Sequence, residues 1–241
     1  MTPMRCIVLP GMDGTGELLS DFVAAMAPEF ATEVIAYPRD RPLGYDELVA
    51  RVRPQLPTDE PYLLIGESFS GPIAIRLAAS KPPSLAGLVL CASFARAPRP
   101  PGSPLNAATL ARLAGLLPLA RMPTRWVATA MLGRWSSPQW RARLGPLLAS
   151  LDPAVMRHRL REGGAVDVTA ALAEIACPLL YLRARRDRLV SADSWRSIGE
   201  ARPDARCIEI DAPHFLLQAH APAAAAAVRA WHDEFANAGG D

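Results

Sequence analysis

The chain has 241 residues, of which 50% are hydrophobic and 21% charged, with a formal net charge of +2. This balance excludes a disordered chain and leaves no overall basic footprint for nucleic acid. The length suits one domain with room for an insertion.

Apolar runs of strand length alternate with amphipathic segments of helix length. Residues 5–10 read as a buried strand, 18–27 as a helix, 33–37 as a second strand and 45–55 as a second helix. Residues 62–66 form the third strand. A helix over 69–79 follows, stopped by Lys81-Pro82-Pro83, and then a fourth strand over 85–91. Towards the end come a strand over 179–183, a helix over 191–201, a strand over 206–210 and a helix over 222–236. Continuous apolar strands separated by helices predict a six-stranded, all-parallel sheet sandwiched by helices, an α/β fold. Such sheets carry their working residues at the carboxyl ends of the strands.

Residues 94–166 break the alternation. They open on Pro98, Pro100, Pro101 and Pro104, read as several short helices, and close near Gly163-Gly164. This predicts a helical cap over 94–166 inserted in a core of 1–93 and 167–241. No apolar run approaches the roughly 20 residues a bilayer span needs, and none resembles a signal peptide. Cys6, Cys91, Cys177 and Cys207 lack C-x-x-C spacing. They are expected to be buried free thiols in a reducing, cytoplasmic setting, with no metal ligand cluster and no cofactor.

The segment Gly66-Glu67-Ser68-Phe69-Ser70-Gly71 lies where the third strand gives way to a helix. A serine on such a sharp turn is a candidate nucleophile, and its neighbours must be small for the turn to pack. Ser70 departs from the strict G-x-S-x-G pattern but is itself small. A nucleophilic serine needs a base and an orienting acid. Asp187 follows the fifth strand and His214 the sixth, so the chain order is Ser, Asp, His, each just past a strand's end. His220 is the rival base. An oxyanion hole requires two backbone N–H groups. The candidates are Phe69, next to the nucleophile, and Met12, in the glycine-rich loop Pro10-Gly11-Met12-Asp13-Gly14-Thr15-Gly16. That loop matches neither the phosphate-binding nor the dinucleotide-binding glycine pattern.

With these residues the sequence resembles the α/β-hydrolase superfamily over essentially its whole length, through the opening loop, the elbow, Asp187 and Pro213-His214-Phe215-Leu216-Leu217-Gln218. The resemblance implies a serine hydrolase acting on a carboxylic ester or thioester, with a layout similar to capped pimeloyl-acyl-carrier-protein methyl ester esterases. It also leaves open an acyltransferase using the same acyl-enzyme, or a ligand receptor on the hydrolase scaffold. Pro10 stands where many members have histidine, and the family's first hairpin is missing, so the sheet is expected to begin at the family's third strand.

Charge is concentrated in the cap. Residues 94–166 hold 11 arginines against Asp152 and Glu162. That asymmetry predicts an anionic partner, an acyl carrier protein, the phosphates of an acyl-CoA or an anionic lipid head, met by Arg121, Arg125, Arg141, Arg143, Arg157 and Arg159. Trp126 and Trp135 are expected to line an acyl channel.

Overall fold

A computed structural model of the chain describes residues 3–98, 105, 109, 112 and 123–238. Six strands build one sheet: β1 (Met4–Leu9), β2 (Phe30–Val34), β3 (Tyr62–Glu67), β4 (Leu85–Cys91), β5 (Leu179–Ala184) and β6 (Arg206–Ile210). Their order is β2-β1-β3-β4-β5-β6, and every pairing is parallel. The central strand β3 is buried along its whole length, whereas the edge strands β2 and β6 alternate between covered and open positions. This is why β3 reads as a continuous apolar run and the edges do not.

Side-chain alternation divides the core in two. Ile7, Leu9 and Leu64 pack on one face with helices α2 (Tyr45–Val52), α3 (Gly71–Ala79) and α7 (Ala192–Ala201). Cys6, Val8, Leu63 and Ile65 pack on the other with α1 (Ser20–Met26) and α8 (Ala221–Ala238). Each fully buried aliphatic side chain contributes roughly 1.5–3 kcal/mol. Cys6 and Cys91 are buried free thiols, while Cys177 and Cys207 are half-buried.

The second strand lies three residues earlier than the sequence suggests, at Phe30–Val34. Ile35 and Tyr37, which supplied the apolar signal, are buried beyond the strand's end. There the Ile35 N–H still donates to Val8 O at 3.0 Å, but the Tyr37 N–H donates to Gly14 O at 2.7 Å, so by Tyr37 the chain has left β1 for the opening loop.

Between β4 and β5 the described residues form α4 (Thr124–Leu132), a 3-10 turn (Gly133–Trp135), α5 (Pro138–Ser150) and α6 (Pro153–Ala165). Local chemistry starts the last two. Ser137 Oγ accepts from Trp140 N–H and Asp152 Oδ1 from Ala154 N–H, each ahead of a proline at the first helical position. Leu18, Ala128, Leu132, Leu144 and Leu147 form the apolar cluster through which these helices hold together and meet the core. At the base of the insertion Arg96 pairs with Asp167 at 2.8 Å. Among the described residues, no helix is long and apolar enough to cross a membrane.

Candidate active site

β3 ends at Glu67, and the chain turns at once into the 3-10 segment Ser68–Ser70 that leads α3. Ser68 has φ 48°, in the left-handed region a non-glycine residue avoids, so the turn is strained. The surroundings hold it there. Ser93 Oγ donates to Ser68 O at 2.5 Å, and Tyr181 Oη donates to Ser93 O at 2.6 Å. A Cβ on Gly71 would lie 1.8 Å from Ser93 Oγ, so only glycine fits that close approach.

Ser68 Oγ lies 2.9 Å from His214 Nε2, and His214 Nδ1 lies 2.7 Å from Asp187 Oδ2. A carboxylate only accepts, so Nδ1 carries the proton and Nε2 faces the serine as acceptor. The other oxygen of Asp187 accepts from Leu189 N–H at 2.8 Å and Val190 N–H at 2.9 Å, which fixes the carboxylate. His214 and Asp187 side chains are only 6% and 4% exposed. Burial lowers the His214 pKa, but the Asp187 and Glu67 carboxylates outweigh it and leave the imidazole above its ordinary value. His220 packs edge-on against Trp135 with ring centroids 5.3 Å apart and makes no bond to Ser68.

The opening loop is tied down almost completely. Ser70 Oγ donates to Pro10 O, and the Gly14 N–H to Gly11 O. The Gly11 N–H donates to Glu67 Oε2 at 3.2 Å. The Met12 N–H donates to no group among the described residues. Phe69 contributes its side chain to the core, stacked on Tyr45 at 4.7 Å, so a ligand can meet only its backbone.

Ser68, His214, Met12, Asp13 and Glu67 line a cavity of about 320 Å³. Its wall is otherwise aliphatic and aromatic, including Trp126, Met131, Leu147 and Phe215 from the insertion and the loop after β6. No arginine or lysine of the described residues lines it. Among the described residues, no group of three or more His, Cys, Asp or Glu side chains is arranged to hold a metal ion.

The residues expected to meet a partner are dispersed. Trp126 lines the cavity and is 57% exposed. Trp135 does not line it; this side chain packs against His220 under the Arg134 guanidinium, 4.3 Å from the ring centre. Arg125 is exposed, and Arg141 and Arg157 are half-buried, all without a carboxylate partner among the described residues. Arg143 pairs with Asp21 at 2.8 Å. Arg121 lies outside the described residues. Arg159 corrects the expectation outright: at 1% exposure it cannot touch a carrier, and its guanidinium donates to the backbone carbonyls of Met12, Asp13 and Pro38.

Three contributors escaped the sequence reading. Glu67 is buried, and burial pushes its carboxyl up to about 7 against the lowering pull of the Gln218 hydrogen bond. Gln218 Nε2 supplies that bond, and the Tyr37 hydroxyl meets Ser70 Oγ at 2.6 Å. Ser70 therefore has a use for its hydroxyl where the family has glycine. The signal for Glu67 was its place beside Ser68. Nothing local reveals that both its oxygens are engaged by distant segments.

The family model described as the alpha/beta hydrolase family matches residues 6–228. No curated protein sequence matches the chain. Solved structures similar to it include an enol-lactonase from Burkholderia xenovorans LB400, with 20% identity over 95% of this chain and 90% of that one and a TM-score of 0.76. A bromoperoxidase from Bacillus anthracis is 17% identical over 94% and 91%, with a TM-score of 0.80. The esterase RhEst1 from Rhodococcus sp. ECU1013 is 19% identical over 96% and 90%, with a TM-score of 0.74. At these identities the structures share the fold, while the family match spans nearly the whole sequence. The chain belongs to the alpha/beta hydrolase family.

Proposed function

We propose that the protein is a serine hydrolase that cleaves a carboxylic ester or thioester of an aliphatic acyl chain through an acyl-enzyme on Ser68. The observation that carries this reading is the hydrogen-bonded chain Ser68–His214–Asp187 opening into an apolar cavity. His214 Nε2 takes the Ser68 proton as Oγ attacks the acyl carbon, and Asp187 holds the imidazole tautomer and offsets the imidazolium charge. The Met12 and Phe69 N–H groups receive the oxyanion. Collapse of the tetrahedral intermediate breaks the bond to the leaving alcohol or thiol, which takes the proton from His214. A water then attacks the acyl-enzyme by the same route, returning the acid and free Ser68.

The cavity favours a neutral chain. Its wall is apolar, and the ionisable side chains lining it, apart from His214, are the carboxyls Asp13 and Glu67. About 320 Å³ sits at the small end of ligand pockets, which suits a short or medium acyl group. Arginines of the insertion without carboxylate partners, Arg125 beside Trp126 among them, support an anionic carrier, acyl carrier protein or acyl-CoA, on the leaving-group side. The insertion over 94–166 acts in this reading as the cap.

A fluorophosphonate probe tests the proposal. It should label Ser68, the label should vanish in Ser68→Ala, and p-nitrophenyl esters of increasing chain length should show a short-to-medium optimum. A folded protein that neither takes the label nor hydrolyses any ester or thioester would sink the reading. Added alcohols that divert the acyl group to a new ester, at the expense of free acid, would reassign the enzyme to acyl transfer.

A further inference from the structure

The five consecutive carbonyls from Pro10 to Gly14 all have donors. Pro10 O accepts from Ser70, Gly11 O from the Gly14 N–H, and Gly14 O from the Tyr37 N–H. The other two, Met12 O and Asp13 O, depend on a single side chain from the segment between β4 and β5. Arg159 Nη1 donates to Met12 O at 2.9 Å and to Asp13 O at 2.9 Å, while Nη2 donates to Pro38 O at 2.9 Å. Arg159 sits on α6, in the insertion, 146 residues along the chain from Asp13.

We infer that Arg159 is a positioning residue through which the inserted helices set the oxyanion loop. The inference rests on Met12 N–H being an oxyanion donor. A peptide plane is rigid, so fixing the Met12 carbonyl fixes the direction of the chain on one side of Met12. On the other side, Glu67 fixes the Gly11 N–H. Between these anchors the Met12 N–H is left free, which is what a preorganised oxyanion donor requires.

A purely structural arginine would be expected to meet a carboxylate. Arg159 makes no ion pair among the described residues, although it is almost wholly buried. Burying a charge is unfavourable unless it is bonded, and here two of the three bonds go to carbonyls of the opening loop and the third to Pro38 O, while Nε has no partner among the described residues. The planar fork is needed to reach three carbonyls from one head group, which an ammonium cannot do in the same geometry. The fit is tight from the loop side as well. Gly14 has φ 73°, and a Cβ there would lie 2.4 Å from Arg159 Nη1.

Two variants approach the contact from opposite sides, Arg159→Lys from the helix and Gly14→Ala from the loop. Each is assayed with a neutral p-nitrophenyl ester, a trifluoromethyl ketone that forms a tetrahedral oxyanion on Ser68, and an isosteric amide that stays in the ground state. Folding is checked by thermal melting. The expected result for Arg159→Lys is a kcat lower by roughly 10- to 100-fold with KM within about threefold. Trifluoromethyl ketone affinity should fall in parallel, and amide affinity should hold. A folded Arg159→Lys with unchanged kcat overturns the inference. So does equal weakening of ketone and amide, and so does failure of both variants to fold, which makes Arg159 a stability residue alone. Wild-type hydrolysis that Ser68→Ala abolishes tests the hydrolase reading separately, since it does not depend on Arg159.

Discussion

Gln218 Nε2 donates to Glu67 Oε1 at 2.7 Å, tying the helical turn after His214 to the residue before Ser68. The second oxygen of the same carboxylate receives the Gly11 N–H. One buried side chain thus links the His214 segment, the Ser68 turn and the opening loop.

That carboxylate should be poised between holding the site and destabilising the fold. Its pKa lies at about 7 against an ordinary 4.5, because burial disfavours the charged form. The folded value is raised, so the favourable contribution of the protonated group is complete below about pH 4.5 and lost as pH rises through about 7. Glu67→Gln removes the charge and can keep both bonds, because the unpartnered Gln218 Oε1 can accept from the new amide after a flip. The variant should gain stability at pH 8 relative to wild type, on the order of 3 kcal/mol at most, and gain little at pH 4. Glu67 faces Asp13, His214, Tyr37 and Cys91. Its charge helps raise the His214 pKa, so the acid limb of the kcat/KM profile should move to lower pH in Glu67→Gln. Urea titrations at both pH values and a pH–rate profile check this; a limb displaced upward would contradict the assignment.

Ser68 and His214 should behave as one unit. Ser68→Ala and His214→Ala should each lower kcat by roughly 10⁴- to 10⁶-fold, and the double variant should be scarcely worse than either. Full activity in His214→Ala, with loss in His220→Ala, would transfer the base to the other histidine.

Ser70 should resist reversion to glycine. Its hydroxyl bridges Pro10 O and the buried Tyr37 hydroxyl, so Ser70→Gly should lower stability by about 1–3 kcal/mol even though it restores the family's spacing. Chemical denaturation measures it, and an unchanged midpoint would mean that water replaces both bonds.

Charge reversal at Arg125, Arg141 and Arg157 should separate carrier recognition from chemistry. At about 0.5–1 kcal/mol per surface charge, with Arg125 exposed and Arg141 and Arg157 half-buried, the triple change to Glu should lower kcat/KM for an acyl-carrier or acyl-CoA substrate roughly tenfold or more at low salt. Salt screens such steering over about 8–10 Å and should erase most of the difference. A short neutral p-nitrophenyl ester should be hydrolysed at nearly the wild-type rate. Equal loss on both substrates would make these arginines structural, and no loss on either would remove the carrier.

The sheet was legible in the sequence wherever burial is two-sided. The strands around Ile65 and Leu88 are covered on both faces and read as unbroken apolar runs. The edge strand at Phe30–Val34 was misplaced because its apolar signal belongs to Ile35 and Tyr37, which turn into the core after the strand ends. The convergence of Ser68, Asp187 and His214 was also readable, since each follows a strand and parallel strands bring their carboxyl ends together. The sequence could not decide what each remaining polar side chain faces. Arg159 and Arg125 belong to the same arginine-rich stretch, yet one is buried against Met12 and Asp13 carbonyls and the other lies in solvent. Glu67, Ser70 and Gln218 find their partners across 56, 60 and 151 residues. Local pattern fixes periodicity and the ends of elements, because those depend on neighbours along the chain. The environment of a polar group depends on which distant segments pack against it, and only the tertiary structure decides that.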